Sequence, residues 1–472
     1  MTRTNRTFAE IEIGETAAIT RDVTPDDITM FAHVSGNLNP LHLPAAVGND
    51  TGEEHPAPSM WLGSLFSAVL GNLLPGPGTL YLSQFVRFLD RALVGDELTV
   101  SVQVTEKRPP RTVVLATRIS RGERLLADGT AEVLAPLEHR VIEDAALPGV
   151  TVARHRHFER LMAACRNLPP MRTAVVAPEE ENALLGALAG AREGLIVPIL
   201  LGNEAAIHAT AKACGADLAD TEIVDMPSHD AAAARAVEMV LEGGAAALMK
   251  GNLHTDELLR HVVKSQGGLR TTRRISHVFI MDAPALPNLL LVTDAAINIA
   301  PTLEEKVDIV QNAIDLAQAL GIPTPKVGIL SAVELVNPKM PSTVDAAALS
   351  KMADRGQIHG GLVDGPLAMD NAISLTAART KGLKSLVAGR ADILVVPNLE
   401  AGNILAKELT YTAQAEGAGL VLGARAPIML TSRADDERSR LFSCCVAVLY
   451  ATWQATGQSA VPSRRQAAEP AA

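Results

Sequence analysis

Aromatic residues make up only 3% of this 472-residue chain: two Trp, three Tyr and eight Phe. Platforms that stack nucleic-acid bases need such rings, so that class is disfavoured. An excess of basic charge is also missing. Lys and Arg number 42 against 53 Asp and Glu, which gives a net charge of −11 and a pI of about 5.6. A general nucleic-acid binder needs a basic face, so no nucleic-acid partner is expected. A local basic pocket for an anionic ligand stays compatible. Cysteine is scarce. Cys165, Cys214, Cys444 and Cys445 contain no Cys-x-x-Cys pair. Cys444 and Cys445 sit in an apolar run and read as buried, reduced thiols, in keeping with a reducing cytoplasm. No apolar run is long enough to span a bilayer, and Met1 to Ile11 has no apolar core of a secretory signal. The expectation is a cytoplasmic protein with no membrane partner.

Several chemical motifs are missing too. There is no Gly-x-x-x-x-Gly-Lys-Ser/Thr loop, so ATP is not implied, and no Gly-x-Ser-x-Gly elbow. Gly417-Ala418-Gly419 with Gly423 lacks the preceding strand and later acidic partner of a dinucleotide loop. His155 and His157 have no cysteine pair at zinc-site spacing, and no metal site is predicted. No tandem repeat is found.

What is present is a large apolar content, 47% of residues, enough for two or more buried cores. The chain to about Pro136 reads as α+β. Met60 to Leu74 is apolar nearly all round, as a buried helix is. Leu98, Val100, Val102 and Val104 alternate with polar residues at period two, and Thr112 to Ile119 and Arg124 to Leu134 read as further strands. Glu138 to Thr151, with Pro148-Gly149, reads as a linker. Beyond it short apolar runs alternate with helical segments, which predicts α/β with a largely parallel sheet. The strands are expected at 173–177, 197–202, 245–249, 277–281, 289–293, 326–330 and 393–396. Leu303 to Leu320 carries apolar residues at helical spacing, and Thr302 with Glu305 offers a capping box. Thr456 to Ala472, rich in Ala, Pro, Ser, Gln and Arg, reads as a disordered tail.

One motif lies early, at Ser35-Gly36-Asn37-Leu38-Asn39-Pro40-Leu41-His42. Read alone it is a turn, since Ser-Gly and Asn-Pro are turn formers. The segment resembles the signature of the MaoC-like, or (R)-specific enoyl-CoA hydratase, family, which reads Ser-Gly-Asp-x-Asn-Pro-x-His. Leu74 to Thr79, Tyr81 to Gln84 and Val86 to Leu89 extend the likeness. The resemblance implies an α+β hot-dog fold over residues 8–137, with Gly78 near the thioester. It also implies a dimer-built site and hydration of a conjugated thioester by the residues at positions 37 and 42. Hydration needs a base for water and an acid for the α-carbon. His42 is in place, but the acidic position holds Asn37, whose amide takes no proton near neutral pH. A lost base costs about 10²–10⁴-fold in rate, so the domain is expected to hydrate slowly, to hold acyl-CoA without hydrating it, or to use another carboxylate, with Asp50 and Glu53 nearby in sequence. Ser59, where the family often has glycine, is a second departure.

The other motif lies within Leu248-Met249-Lys250-Gly251-Asn252-Leu253-His254-Thr255-Asp256-Glu257-Leu258-Leu259-Arg260. A strand ending at Lys250-Gly251 and a helix starting near Thr255 would welcome an anion. Further segments are Val292 to Asn298, Leu330 to Glu334, Val363 to Leu367, Val396 to Asn403 and Leu430-Thr431-Ser432-Arg433. Together they resemble the phosphate acetyl/butyryltransferase family across residues 152–455. The resemblance implies α/β; two subdomains with a cleft, similar to the isocitrate and isopropylmalate dehydrogenase architecture but with no nicotinamide site. It also implies acyl transfer between coenzyme A and phosphate, with coenzyme A as substrate and no bound cofactor. On this basis Arg260 binds phosphate or acyl phosphate, with Lys250, Asn252, Asp294 and Asn298 as further substrate-binding candidates. Ser432 stabilises the tetrahedral intermediate and Arg433 grips phosphate. Where some acetyltransferases carry an Asp proposed as base for the thiol, this chain has Ser439; Asp435, Asp436 and Glu437 lie close by. Read singly, Arg260 is a surface arginine, and Asp294 and Asn298 cap a turn. The expected partners are acyl-CoA, CoA, phosphate and acyl phosphate, in a homo-oligomer.

Overall fold

The computed structural model describes residues 2–43, 56–143, 155–431 and 435–462. The chain divides into two compact units, Met1–Val152 and Ala153–Ala472.

The first unit contains β1 (Thr2–Thr4), β2 (Thr16–Asp22), α1 (Pro25–Ser35), α2 (Ser59–Asn72), β3 (Leu80–Phe88), β4 (Glu97–Arg108), β5 (Thr112–Arg121), β6 (Arg124–Leu134) and β7 (Val141–Glu143). Strands β2-β4-β5-β6-β3 form one antiparallel sheet in that order. Helix α2 packs on it with Trp61, Leu62, Phe66, Val69 and Leu70 buried. Each such side chain contributes about 1.5–3 kcal/mol on burial. This is the expected hot-dog layout. The helix is less enclosed than its composition suggests, because Met60 and Leu73 are exposed. The unit is also wider than 8–137. Strand β7, inside the expected linker, pairs with β1, and Asn5 Oδ1 accepts the Arg140 amide.

The second unit runs α3 (Arg156–Cys165), β8 (Met171–Val176), α4 (Glu181–Arg192), β9 (Ile196–Gly202), α5 (Glu204–Cys214), β10 (Glu222–Asp225), α6 (His229–Leu241), β11 (Ala247–Lys250) and α7 (Thr255–Val262). It continues with β12 (Ser276–Asp282), β13 (Leu290–Thr293), α8 (Leu303–Ala319), β14 (Lys326–Leu330), α9 (Pro341–Asp354), β15 (Leu362–Leu367), α10 (Met369–Ile373) and α11 (Leu375–Thr380). It ends with β16 (Ile393–Val395), α12 (Leu399–Tyr411), β17 (Glu416–Leu422), β18 (Ile428–Met429) and α13 (Glu437–Thr456). One sheet threads the unit in the order β10-β9-β8-β11-β18-β17-β12-β13-β16-β14-β15. Its two outer parts are parallel; the ladders β18·β17, β17·β12 and β12·β13 are antiparallel. Every strand expected from the sequence is present, and α8 has the Thr302–Glu305 capping box. Strands β10, β15, β17 and β18 were not legible. Asp364-Gly365-Pro366, readable as a tight turn, lies inside β15. The expected tail is corrected over its first part. Val461 is buried against Gly321, and Ser459 Oγ donates to the Ala319 carbonyl at 2.7 Å.

Candidate functional site

In the second unit, β11 stops at Lys250 and the chain turns through Gly251. A Cβ at Gly251 would lie 2.2 Å from the Ala177 carbonyl oxygen, so only glycine lets the turn close over the end of β8. The Gly251 and Asn252 amides donate to Val176 and Ala177 carbonyls at 2.8 and 2.7 Å. Lys250 is buried, and its Nζ folds back to donate to the Gly251 and Leu253 carbonyls at 3.2 Å each. Helix α7 then starts at Thr255, with the His254 amide held by Glu257 Oε2 at 3.3 Å.

A cavity of about 350 Å³ opens over these ends. Its polar lining includes Lys250, His254, Asn403, Lys407, Thr431 and Asp435; its apolar lining includes Leu253, Phe279, Ala296, Leu399, Ala406 and Leu430. Leu399, Asn403, Ala406, Lys407, Thr410 and Tyr411 recur at helical spacing, so one face of α12 forms a wall. The cavity thus joins a buried cation to an apolar flank, which suits an anionic group carried on a small apolar chain.

The residues expected here are placed unevenly. Lys250 lines the cavity, and Asn252 sits two residues on in the same turn, half-buried and outside the lining. Arg260, on α7, is also outside it; its side chain is 62% exposed and its Nη2 donates to Asp230 Oδ1 at 2.9 Å. Asp294 and Asn298 are buried in the turn after β13. Asp294 accepts the amides of Ala296, Ile297 and Asn298, and Asn298 donates to the Ile275 carbonyl and accepts from Arg274 Nε. Both side chains are therefore engaged in fixing the turn, and Ala296 at its apex faces the cavity. Ser432 and Arg433 lie outside the described residues; their neighbours Thr431 and Asp435 both line the cavity.

Two residues went unnoticed in the sequence. Arg440 is 1% exposed, runs beneath Gly186, and donates from Nη1 to the Lys250 carbonyl at 3.2 Å. Burial lowers its pKa, and the Asp435 charge is the first influence opposing that shift. One charged residue entering the apolar run Leu441 to Tyr450 was the available signal. His277 is fully buried beside Phe279, with the Leu430 backbone within hydrogen-bonding reach of its ring. Burial holds its pKa below the ordinary value against the pull of Asp294, so it is a neutral ring.

In the first unit, α1 ends at Gly36 with φ +71°. Asn37 Oδ1 accepts the Asn39 amide and Asn39 Oδ1 accepts the Leu41 amide, both at 3.1 Å. These consecutive Asx turns carry the chain to His42, whose Nδ1 is 2.9 Å from the Pro56 carbonyl. A carbonyl only accepts, so Nδ1 carries the proton of this hydrogen bond and Nε2 is the other ring nitrogen. Val34, Leu38 and Leu41 around this loop are exposed. Gly78, at φ +88°, packs against the Arg140 side chain.

Comparison with known proteins agrees with both halves. The family described as phosphate acetyl/butaryl transferase matches residues 227–448, and the family described as MaoC like domain matches residues 9–121. A phosphate acetyltransferase of Rhizobium meliloti is 58% identical over 65% of this chain and 98% of that protein. A phosphate butyryltransferase of Clostridium acetobutylicum is 43% identical over 63% of this chain and 98% of that protein. A crystal structure of a branched-chain phosphotransacylase from Enterococcus faecalis V583 is 32% identical, with TM-score 0.52, over 60% of this chain and 99% of that one. With the cavity at the ends of β11 and β18 in the region these relatives share, the chain belongs to the phosphate acetyl/butyryltransferase family and carries a MaoC-like domain in its first unit.

Proposed function

We propose that the second unit moves a short-chain acyl group, acetyl to butyryl, between coenzyme A and inorganic phosphate. The cavity around buried Lys250 carries this reading, supported by 58% identity to a phosphate acetyltransferase. A phosphate oxygen attacks the thioester carbon, a tetrahedral oxyanion forms, and the C–S bond breaks to release CoA. Lys250 and the amides at the start of α7 favour the anion. Ser432 steadies the oxyanion and Arg433 holds phosphate. Arg260 captures incoming phosphate after leaving Asp230, and Asn252 stands beside Lys250 as a secondary contact. Asp294 and Asn298 serve the substrate by shaping the turn that carries Ala296. On this reading the two outer sheet parts form subdomains of the isocitrate and isopropylmalate dehydrogenase kind. The decisive test is acyl-phosphate formation from acetyl-, propionyl- and butyryl-CoA with phosphate; no turnover with any of them retires it.

In the first unit, His42 Nε2 is the group left to move a proton, with Gly78 on the strand entry near the thioester. Asn37 directs its oxygen into a backbone turn, which favours an acyl-CoA holder or a slow hydratase over a fast one. A homo-oligomer fits this unit, because Leu80, Leu82 and Phe85 stand exposed on the edge strand β3.

A further inference from the structure

A thiol attacks an acyl carbon only as it loses its proton, because the thiolate is the nucleophile. The transferase reading above therefore needs a base beside the cavity. Ser439, where the family resemblance looks for one, has no ionisable side chain. The three nearby acids separate cleanly by position. Asp436 caps α13, its Oδ1 accepting the Ser439 amide at 2.9 Å. Glu437 pairs with Arg192 at 2.6 Å. Asp435 is half-buried and is the one carboxylate among the described residues lining the cavity. Behind the cavity the buried guanidinium of Arg440 donates from Nη1 to the Lys250 carbonyl at 3.2 Å, and the Asp435 charge acts on it.

We propose that Asp435 is the general base that takes the CoA thiol proton. As sulfur bonds to the carbonyl carbon of an acyl phosphate, the thiol proton passes to an Asp435 carboxylate oxygen. Collapse of the tetrahedral adduct breaks the bond between the acyl carbon and the phosphate oxygen, and the proton departs with the phosphate as hydrogen phosphate. In the opposite direction Asp435 takes that proton back from hydrogen phosphate and returns it to the leaving thiolate. No further reactant enters. His254 is the rival group in the lining. It is the exposed N-cap residue of α7, a position suited to meeting an anion at the helix N-terminus.

The test uses the full chain, acetyl phosphate or butyryl phosphate, and CoA. Asp435→Asn is expected to lower kcat at pH 7 by about 10²–10⁴-fold while leaving KM for the acyl phosphate within about 3-fold. The deficit shrinks as pH approaches about 9, where the thiol ionises by itself. Glu437→Gln keeps wild-type turnover, and equal melting temperatures show that the variants fold. If Asp435→Asn does not fold, Asp435→Ala is expected to regain turnover with added formate. An Asp435→Asn enzyme within about 3-fold of an active wild type, a deficit that ignores pH, or a pH-dependent loss in His254→Gln instead would overturn the assignment. A wild type inactive with every acyl substrate retires the transferase reading itself.

Discussion

Arg260 Nη2 donates to Asp230 Oδ1 at 2.9 Å, and His261 Nε2 lies 2.7 Å from the same oxygen. Both basic side chains are tied to one carboxylate, whose own pKa is lowered first by the His261 hydrogen bond. If Arg260 captures phosphate, Asp230 competes for it. Arg260→Ala is expected to raise KM for phosphate about tenfold or more, equivalent to about 1.4 kcal/mol. Asp230→Asn is expected to leave that KM unchanged or lower it. Initial rates against phosphate concentration decide; an unchanged KM in Arg260→Ala removes Arg260 from the substrate path.

Position 37 makes a separate prediction. Replacing Asn37 by Asp keeps an oxygen to accept the Asn39 amide and adds a group that takes a proton. Hydration of crotonyl-CoA, followed by loss of the enoyl thioester absorbance, is expected to rise by about 10²–10⁴-fold in Asn37→Asp. A wild type already as fast as the variant would show that another group supplies the base.

Arg440 and Gly186 form a matched pair. A Cβ at Gly186 would lie 2.5 Å from Arg440 Cδ. Gly186→Ala is expected to cost about 1–3 kcal/mol through overpacking. Arg440→Met strands the carbonyl of Lys250 and is expected to cost about 3–5 kcal/mol, as loss of one partner in a buried charged network does. Urea midpoints measure both. Non-additivity in the double variant is the sign of direct contact.

His277 predicts a pH dependence. Its folded pKa is depressed by burial below the ordinary 6.5. Below that value the unfolded chain binds a proton that the folded chain refuses, so the group's contribution is complete above about pH 6.5 and is lost as pH falls. The slope from this one group is about 1.4 kcal/mol per pH unit, from just below pH 6.5 down to the folded pKa. His277→Phe lacks that slope. Comparing the two stabilities at pH 7.5 and pH 5.5 cancels the other titrations, and parallel curves would contradict the neutral, buried ring.

Much of the fold could be read from local pattern. Period-two alternation in Leu98 to Val104 gave β4, and helical spacing with the Thr302–Glu305 box gave α8 almost to the residue. These signals are carried by neighbours in sequence. Strand β15 was hidden because Asp364-Gly365-Pro366 has turn chemistry, and β17 because its first four residues, Glu416 to Gly419, hold two glycines. Their strand state comes from long-range ladders with β14 and β12. The buried ends at Val461 and β7 are likewise decided by partners far along the chain.

The site divides along the same line. The sequence by itself determined the residue types available: a lysine at a strand end, a histidine with an amide where an acid was expected, and acids clustered before α13. Tertiary structure decided which of them meet. Lys250 and Asp435 are far apart in sequence and share one cavity, whereas Arg260, only ten positions after Lys250, turns to Asp230 on the helix surface. Asp294 and Asn298 fold their polar atoms into their own turn and leave Ala296 to face the ligand space. Chemistry is written locally because each side chain carries its own groups, but its direction is set by packing, in which residues hundreds of positions apart compete for the same few ångströms.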